Sequence, residues 1–91
     1  MSVGTKQLTA DGYLASTAPT RLYSVVIKSG GTAATVAFKN ANTTEYLTIT
    51  GTINLAVEKN YEGGLMFPGG CYVDIDANTT YVTANFETEG T

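Results

Sequence analysis

The sequence predicts an all-β fold, a small single-domain β-sandwich or barrel of about seven to eight mostly antiparallel strands. Three observations carry this. Sixteen threonines, six tyrosines and ten glycines in 91 residues suit strands and tight turns better than helices. Apolar side chains alternate with polar ones at the strand period of two along most of the chain. Clusters of Gly, Pro, Asn and Ser cut that alternation into short runs, the spacing of a sandwich or small barrel.

The N-terminal run Lys6 to Ala15 is the weakest strand, split at Asp11-Gly12, and residues 1–17 are expected to form an arm or edge strand of one domain spanning 1–91. Next, RLYSVVIK (21–28) is apolar in both registers, Tyr23/Val25/Ile27 against Leu22/Ser24/Val26. That pattern predicts a central strand, or one whose outer face meets a partner. In TVAFK, Val36 and Phe38 face inward; in EYLTIT, Leu47 and Ile49; in TINLAVE (52–58), Ile53, Leu55 and Val57. Cys71, Val73 and Ile75 form the inward row of the next run, and Val82, Ala84 and Phe86 that of the last.

Turns are expected at Ser29 to Gly31, Asn40 to Thr43, Gly51, Asn60 to Gly64, Phe67 to Gly70 and Ala77 to Thr79. Pro68-Gly69 fits the two central positions of a type II turn, because Pro fixes φ and Gly accepts a positive value. The segment ANTT occurs twice, at 41–44 and 77–80. Both copies read as turn punctuation, their Asn and Thr side chains bonding nearby backbone. Each is also an Asn-x-Thr glycosylation acceptor in form, but the opening MSVGTKQLTADG has neither a signal-peptide core nor an Arg-rich amphipathic pattern, so no export or organelle address is expected.

Composition argues against several classes of function. Five Lys and Arg against eight Asp and Glu, a net charge of −3, leave no basic stripe for phosphates, so no nucleic-acid partner is expected. The longest apolar stretch, Leu22 to Ile27, is far short of the ~20 residues that span a bilayer, so no membrane partner is expected either. There is no histidine, and the single Cys71 cannot make an internal disulfide; its place in CYVDI suits a buried small hydrophobe better than a nucleophile. Asp74-Ile75-Asp76-Ala77-Asn78 opens like an EF-hand calcium loop, yet Thr79 and Asn85 stand where that loop needs Gly and a bidentate Glu. No metal, cofactor or catalytic residue is therefore expected, and the chain reads as a non-enzyme.

The outward rows are the candidate site. Tyr46/Thr48/Thr50, Tyr72/Asp74/Asp76 and Tyr81/Thr83/Asn85 mix aromatic area with short hydrogen-bonding groups, which suits protein association or sugar stacking. Leu22 and Val26 join them as apolar residues of the doubly apolar strand. A small domain with only 14% charged residues and such a strand leaves surface that association would cover, so a homo-oligomer is expected, with a trimer favoured.

Three stretches carry a resemblance: APTRLYSVVI (18–27), GTAATVAFKN (31–40) and GLMFPGGCYV (64–73). Together they resemble small β-rich virion proteins of tailed bacteriophages, in which a Pro-x-Arg-hydrophobic-Tyr strand precedes a Gly-x-Ala hairpin and a Gly-hydrophobic-x-Phe-x-x-Gly-x-Tyr-Val strand pair. The resemblance covers about the last four fifths of the chain. It implies a structural particle component in the virion, assembled in the host cytoplasm: a capsid decoration or cement protein bound to the major capsid protein or another virion protein. The alternative is a carbohydrate- or receptor-binding module of a tail or head fibre, with Tyr46, Tyr72 and Tyr81 as stacking platforms.

Overall fold

The computed structural model describes residues 2–15, 17–41 and 43–88. Eight strands appear, with no helix among the described residues: β1 Ser2–Leu8, β2 Gly12–Ala15, β3 Thr20–Ser29, β4 Thr35–Asn40, β5 Thr44–Thr50, β6 Ala56–Phe67, β7 Cys71–Ile75 and β8 Thr79–Thr88. They form two four-stranded sheets, β1-β8-β3-β6 and β2-β7-β4-β5, and every pairing is antiparallel. The sheets share no hydrogen-bonded edge, so the fold is a sandwich and the barrel is excluded. The split N-terminal run becomes β1 and β2, which are edge strands of opposite sheets.

Between the sheets lie Leu14, Leu22, Val25, Ile27, Ala34, Val36, Phe38, Ile49, Phe67, Cys71, Val73, Val82 and Ala84, all buried. Leu47, Ile75 and Phe86 pack partly buried against this core, as their alternation predicts. The larger aliphatic and aromatic members each contribute about 1.5 to 3 kcal/mol by leaving water. Two hydroxyls share the interior: Thr20 donates to Ala18 O at 3.0 Å, and Ser29 Oγ accepts from the Ala34 N–H at 3.0 Å. A Cβ on Gly51 would strike that Ser29 hydroxyl, which explains glycine where the chain leaves β5.

The double apolarity of RLYSVVIK has a geometric cause. Both Leu22 and Val25 are buried, although residues three apart cannot share one face of a regular strand. Pairing to β8 runs Leu22 to Phe86 and then Ser24 to Asn85, so Tyr23 is an extra residue that flips the phase. On the other side β6 answers with a larger excursion, Leu65 opposite Leu22 and Asn60 opposite Ser24. The expected turn at Asn60 to Gly64 is thus a bulge inside one long strand. Gly63 and Gly64 supply its left-handed backbone at φ 78° and 82°, and Arg21 and Tyr23 lie so close over Gly64 that no side chain fits there.

Two further expectations are corrected. TINLAVE is not a strand from its start: Ile53 and Leu55 are 52% and 57% exposed, and only Val57, opposite Ile27, keeps its inward place. The chain must cross from one sheet to the other here. It does so through a turn closed by Leu55 N–H to Thr52 O, with Asn54 in the left-handed region at φ 61°. The Phe67–Gly70 turn is closed as expected by Gly70 N–H to Phe67 O, but the positive φ falls on Gly70 at 98° and not on Gly69. It is therefore not the type II turn that Pro68-Gly69 suggests.

The ANTT copies do close turns, with the first copy's Asn42 outside the described residues. Thr43 donates from both its N–H and its hydroxyl to Asn40 O, each at 3.0 Å. In the second copy the organiser is the preceding Asp76, whose Oδ1 accepts from Asn78 N–H at 3.1 Å and from the Thr79 hydroxyl at 2.9 Å.

Replacing Phe38 by Ala should cost about 3 to 5 kcal/mol in a urea titration, whereas Leu55→Ala should cost less than about 1 kcal/mol. Similar losses at the two positions would mean that the described burial of the 52–57 segment is wrong.

Candidate assembly interface

The candidate residues divide among several places. Leu22 is fully buried in the core, so its place among surface contacts is withdrawn; the bulge at Tyr23 turned it inward. Val26, Tyr81 and Thr83 share the outer face of the β1-β8-β3-β6 sheet, where one row runs Gln7, Thr83, Val26, Glu58 and the next Thr5, Asn85, Ser24, Asn60. Tyr72, Asp74 and Thr48 lie on the outer face of the other sheet, on the opposite side of the sandwich.

Tyr46 belongs to neither outer row. Pairing between β4 and β5 passes from Phe38–Leu47 to Lys39–Glu45, leaving Tyr46 as a bulged residue. Its ring stacks on Phe67 of the facing sheet, 5.4 Å between centroids at 25°, and it remains 45% exposed. Tyr46 therefore closes the flank where β5 and β6 lie one above the other and does not stand beside Thr48.

On the first sheet the outer face is fixed by bonds between side chains. Thr5 Oγ1 donates to Asn85 Oδ1 at 2.6 Å, Asn85 Nδ2 donates to Ser24 Oγ at 2.7 Å, and Gln7 Nε2 reaches Thr83 Oγ1 at 3.5 Å. Short uncharged groups on three strands are thus held in set rotamers, so little side-chain entropy remains to be lost on contact with a partner. At the end of this face the Tyr23 hydroxyl donates to Glu87 Oε1 at 3.0 Å, and that bond, with partial burial and the carboxylate's charge, raises the Tyr23 pKa.

The opposite outer face is aromatic and charged. Tyr13 meets Tyr72 edge to face at 4.9 Å between centroids, and Lys39 Nζ pairs with Asp74 Oδ2 at 3.0 Å. Partial burial, followed by the charges of Asp11 and Asp74, raises the Tyr72 pKa; the Asp74 hydrogen bond raises that of Lys39. Both partners of the ion pair are substantially exposed, so it orients the face more than it stabilises the fold.

The carboxylates of the calcium-like string are engaged separately. Asp74 faces Lys39, while Asp76 accepts from Thr35 N–H at 2.9 Å through Oδ2 and from the 78–79 turn through Oδ1. Burial pushes the Cys71 thiol up to about 12, which leaves it protonated at neutral pH. Sequence reasoning placed Asn85 in an outward row but missed Tyr13 and Thr5 as members of these faces. Register across strands assembles them, and no local pattern carries that register. Comparison with known protein families, with curated proteins and with solved structures finds no match.

Partial burial pushes the Asp76 carboxyl up, but the bonds from Thr35, Thr79 and Asn78 outweigh it and hold its pKa below the ordinary 3.8. A carboxyl depressed on folding stabilises the fold above its unfolded pKa and loses that contribution as pH falls through the folded value. Asp76→Ala should therefore lower stability at pH 7 by about 1 to 2 kcal/mol, allowing for its partial exposure, and the gap to wild type should narrow at about pH 2.5. Urea titrations at both pH values test this; a gap that widens in acid contradicts it.

Proposed function

We propose that this chain is a non-enzymatic structural protein of a virion, a capsid decoration or cement protein that binds the shell and copies of itself. The observation that carries the reading is the outer face of the β1-β8-β3-β6 sheet, where Thr5, Asn85 and Ser24 on three neighbouring strands are joined by side-chain bonds beside Thr83 and Val26. Such cross-strand bonds stabilise the sheet itself, and a contact with a repeating lattice also loses less entropy when its donors and acceptors are already set. Many shallow contacts then add through avidity. The resemblance of about the last four fifths of the chain to small virion proteins of tailed phages points the same way. The partner is the major capsid protein or a neighbouring virion protein.

A second reading, a carbohydrate- or receptor-binding module of a tail or head fibre, is favoured by the Tyr13–Tyr72 pair, which presents aromatic area beside the polar Lys39 and Asp74.

Mass spectrometry of purified particles from the source, with co-sedimentation of the isolated protein on those particles, tests the proposal. Stoichiometric presence is expected, and Thr83→Asp should reduce particle occupancy at least tenfold while the circular dichroism spectrum stays unchanged, because an unpaired charge at a contact is costly and the same charge in water is not. Absence from particles together with binding to immobilised glycans that Tyr72→Ala abolishes would favour the second reading.

A further inference from the structure

A sandwich of two open sheets has four edges, and each exposes unpaired backbone groups that a foreign strand can join unless something blocks it. Three of the four are blocked here. β2 has no regular stretch longer than Gly12–Tyr13, since its register with β7 shifts before Ala15. β1 carries Lys6 opposite the buried Ala84, on its core-facing side, and the Lys6 ammonium donates to Tyr13 O at 2.8 Å, strapping β1 to β2 across that flank. β6 carries Lys59 opposite the buried Val25, again core-facing, followed by the glycine bulge. An inward-pointing lysine and a bulge are devices that repel a second strand.

β5 differs. Beyond the bulge at Tyr46, its residues Leu47 to Thr50 pair regularly with β4, and that stretch contains no lysine, proline or glycine. Apolar exposure concentrates on the same flank. Of the four large exposed hydrophobic residues among the described ones, Tyr46 lies at one end of β5 and Ile53 and Leu55 lie just past the other, with Tyr13 alone on β2 at the opposite edge. Ile53 and Leu55 are held in place: Ser29 N–H bonds to Leu55 O at 3.2 Å, Asn54 N–H to Gly30 O at 2.9 Å, and Lys28 Nζ to Asn54 O at 2.7 Å.

We propose that β5 is a self-association edge: a second copy lays its own Leu47 to Thr50 antiparallel against it, joining two four-stranded sheets into one of eight. A twofold axis makes the two ends of β5 complementary, since it brings the Ile53–Leu55 end of each strand beside the Tyr46 end of the other. Each copy then covers the other's exposed apolar groups. This deepens the self-association part of the proposed function and rests on it, and it makes the basic unit a twofold pair in place of the trimer expected from composition.

The full-length chain serves for the test. Wild type should scatter light as a dimer, and the Ile53→Asp/Leu55→Asp variant, altered only at residues more than half exposed, should scatter as a monomer with an unchanged circular dichroism spectrum. A Thr48→Cys/Thr50→Cys variant should form covalent dimers on mild oxidation, since either register of the pair brings these positions together while the buried Cys71 stays out of reach; Thr83→Cys should not. If wild type associates and the Ile53/Leu55 variant still does, while Thr83→Asp or Tyr72→Asp dissociates it, the β5 inference is overturned and the proposed function stands. A wild type that stays monomeric alone yet binds particles through Ile53 and Leu55 would assign the edge to a segment of the shell, overturning the second copy as its occupant. A wild type that is monomeric and ignores particles overturns both readings.

Discussion

One constraint organises the sandwich: β3 must bury Leu22, Val25 and Ile27 on the same side. A strand of strict period two can do this for Val25 and Ile27 but not for Leu22, which would face solvent. Exposing a leucine costs about 2 kcal/mol, a contribution that the extra residue keeps by turning Leu22 inward. The extra residue is Tyr23, and its ring lies on the outer face, where its hydroxyl reaches Glu87. Because β3 is an interior strand, both neighbours must accommodate it. β8 does so with one missing step opposite, and β6 with the Tyr61 to Gly64 excursion, whose positive-φ glycines pass beneath Arg21 and Tyr23. Arg21 then holds the excursion from above by donating to Gly63 O at 2.9 Å.

That accommodation has consequences at the perimeter. An edge strand interrupted by a four-residue excursion cannot offer a long straight template, so β6 is disqualified as a pairing edge by the same event that fits Leu22 into the core. The facing edge strand, β5, has its own bulge near its start, where Tyr46 leaves the outer row to cover Phe67. Phe67 is fully buried only because something stands over the open side of the sandwich at that point, and Tyr46 is part of that cover. The remaining regular stretch of β5 is short, which limits how a partner can register on it.

Much of the fold was legible from periodicity. The inward rows of β4, β7 and β8 follow alternation because each strand packs one face against the other sheet and gives the second to water, the condition under which period two is informative. The reading failed where the chain changed layers. Ile53 and Leu55 alternate correctly yet belong to a crossover, and the one local sign was Asn54, a residue tolerant of left-handed backbone. Asn60 to Gly64 was legible as turn chemistry but not as a bulge, because local sequence does not say whether the strands on either side of a turn are two or one. The candidate surface was legible in its residue types, Tyr with Thr and Asp. Its division among two faces and a flank was not, since that depends on which strand lies beside which.

Lysine placement marks strand edges in the sequence itself. Lys59 falls in phase with Val57 and Tyr61, and Lys6 in phase with Leu8; both are charges inside otherwise apolar rows. A charge on the core-facing side of a strand is tolerable only where its head can reach water, and in a thin sandwich that means an edge. The two lysines therefore mark β1 and β6 as the edges of the sheet that Arg21, Tyr23 and Glu87 decorate, before any pairing is known. Interior strands β3, β4, β7 and β8 carry no charge on their core-facing rows, and β5, an edge by topology, carries none either. An edge strand with the inward composition of an interior strand has the side chains of a strand with neighbours on both sides, and among the described residues it has only one.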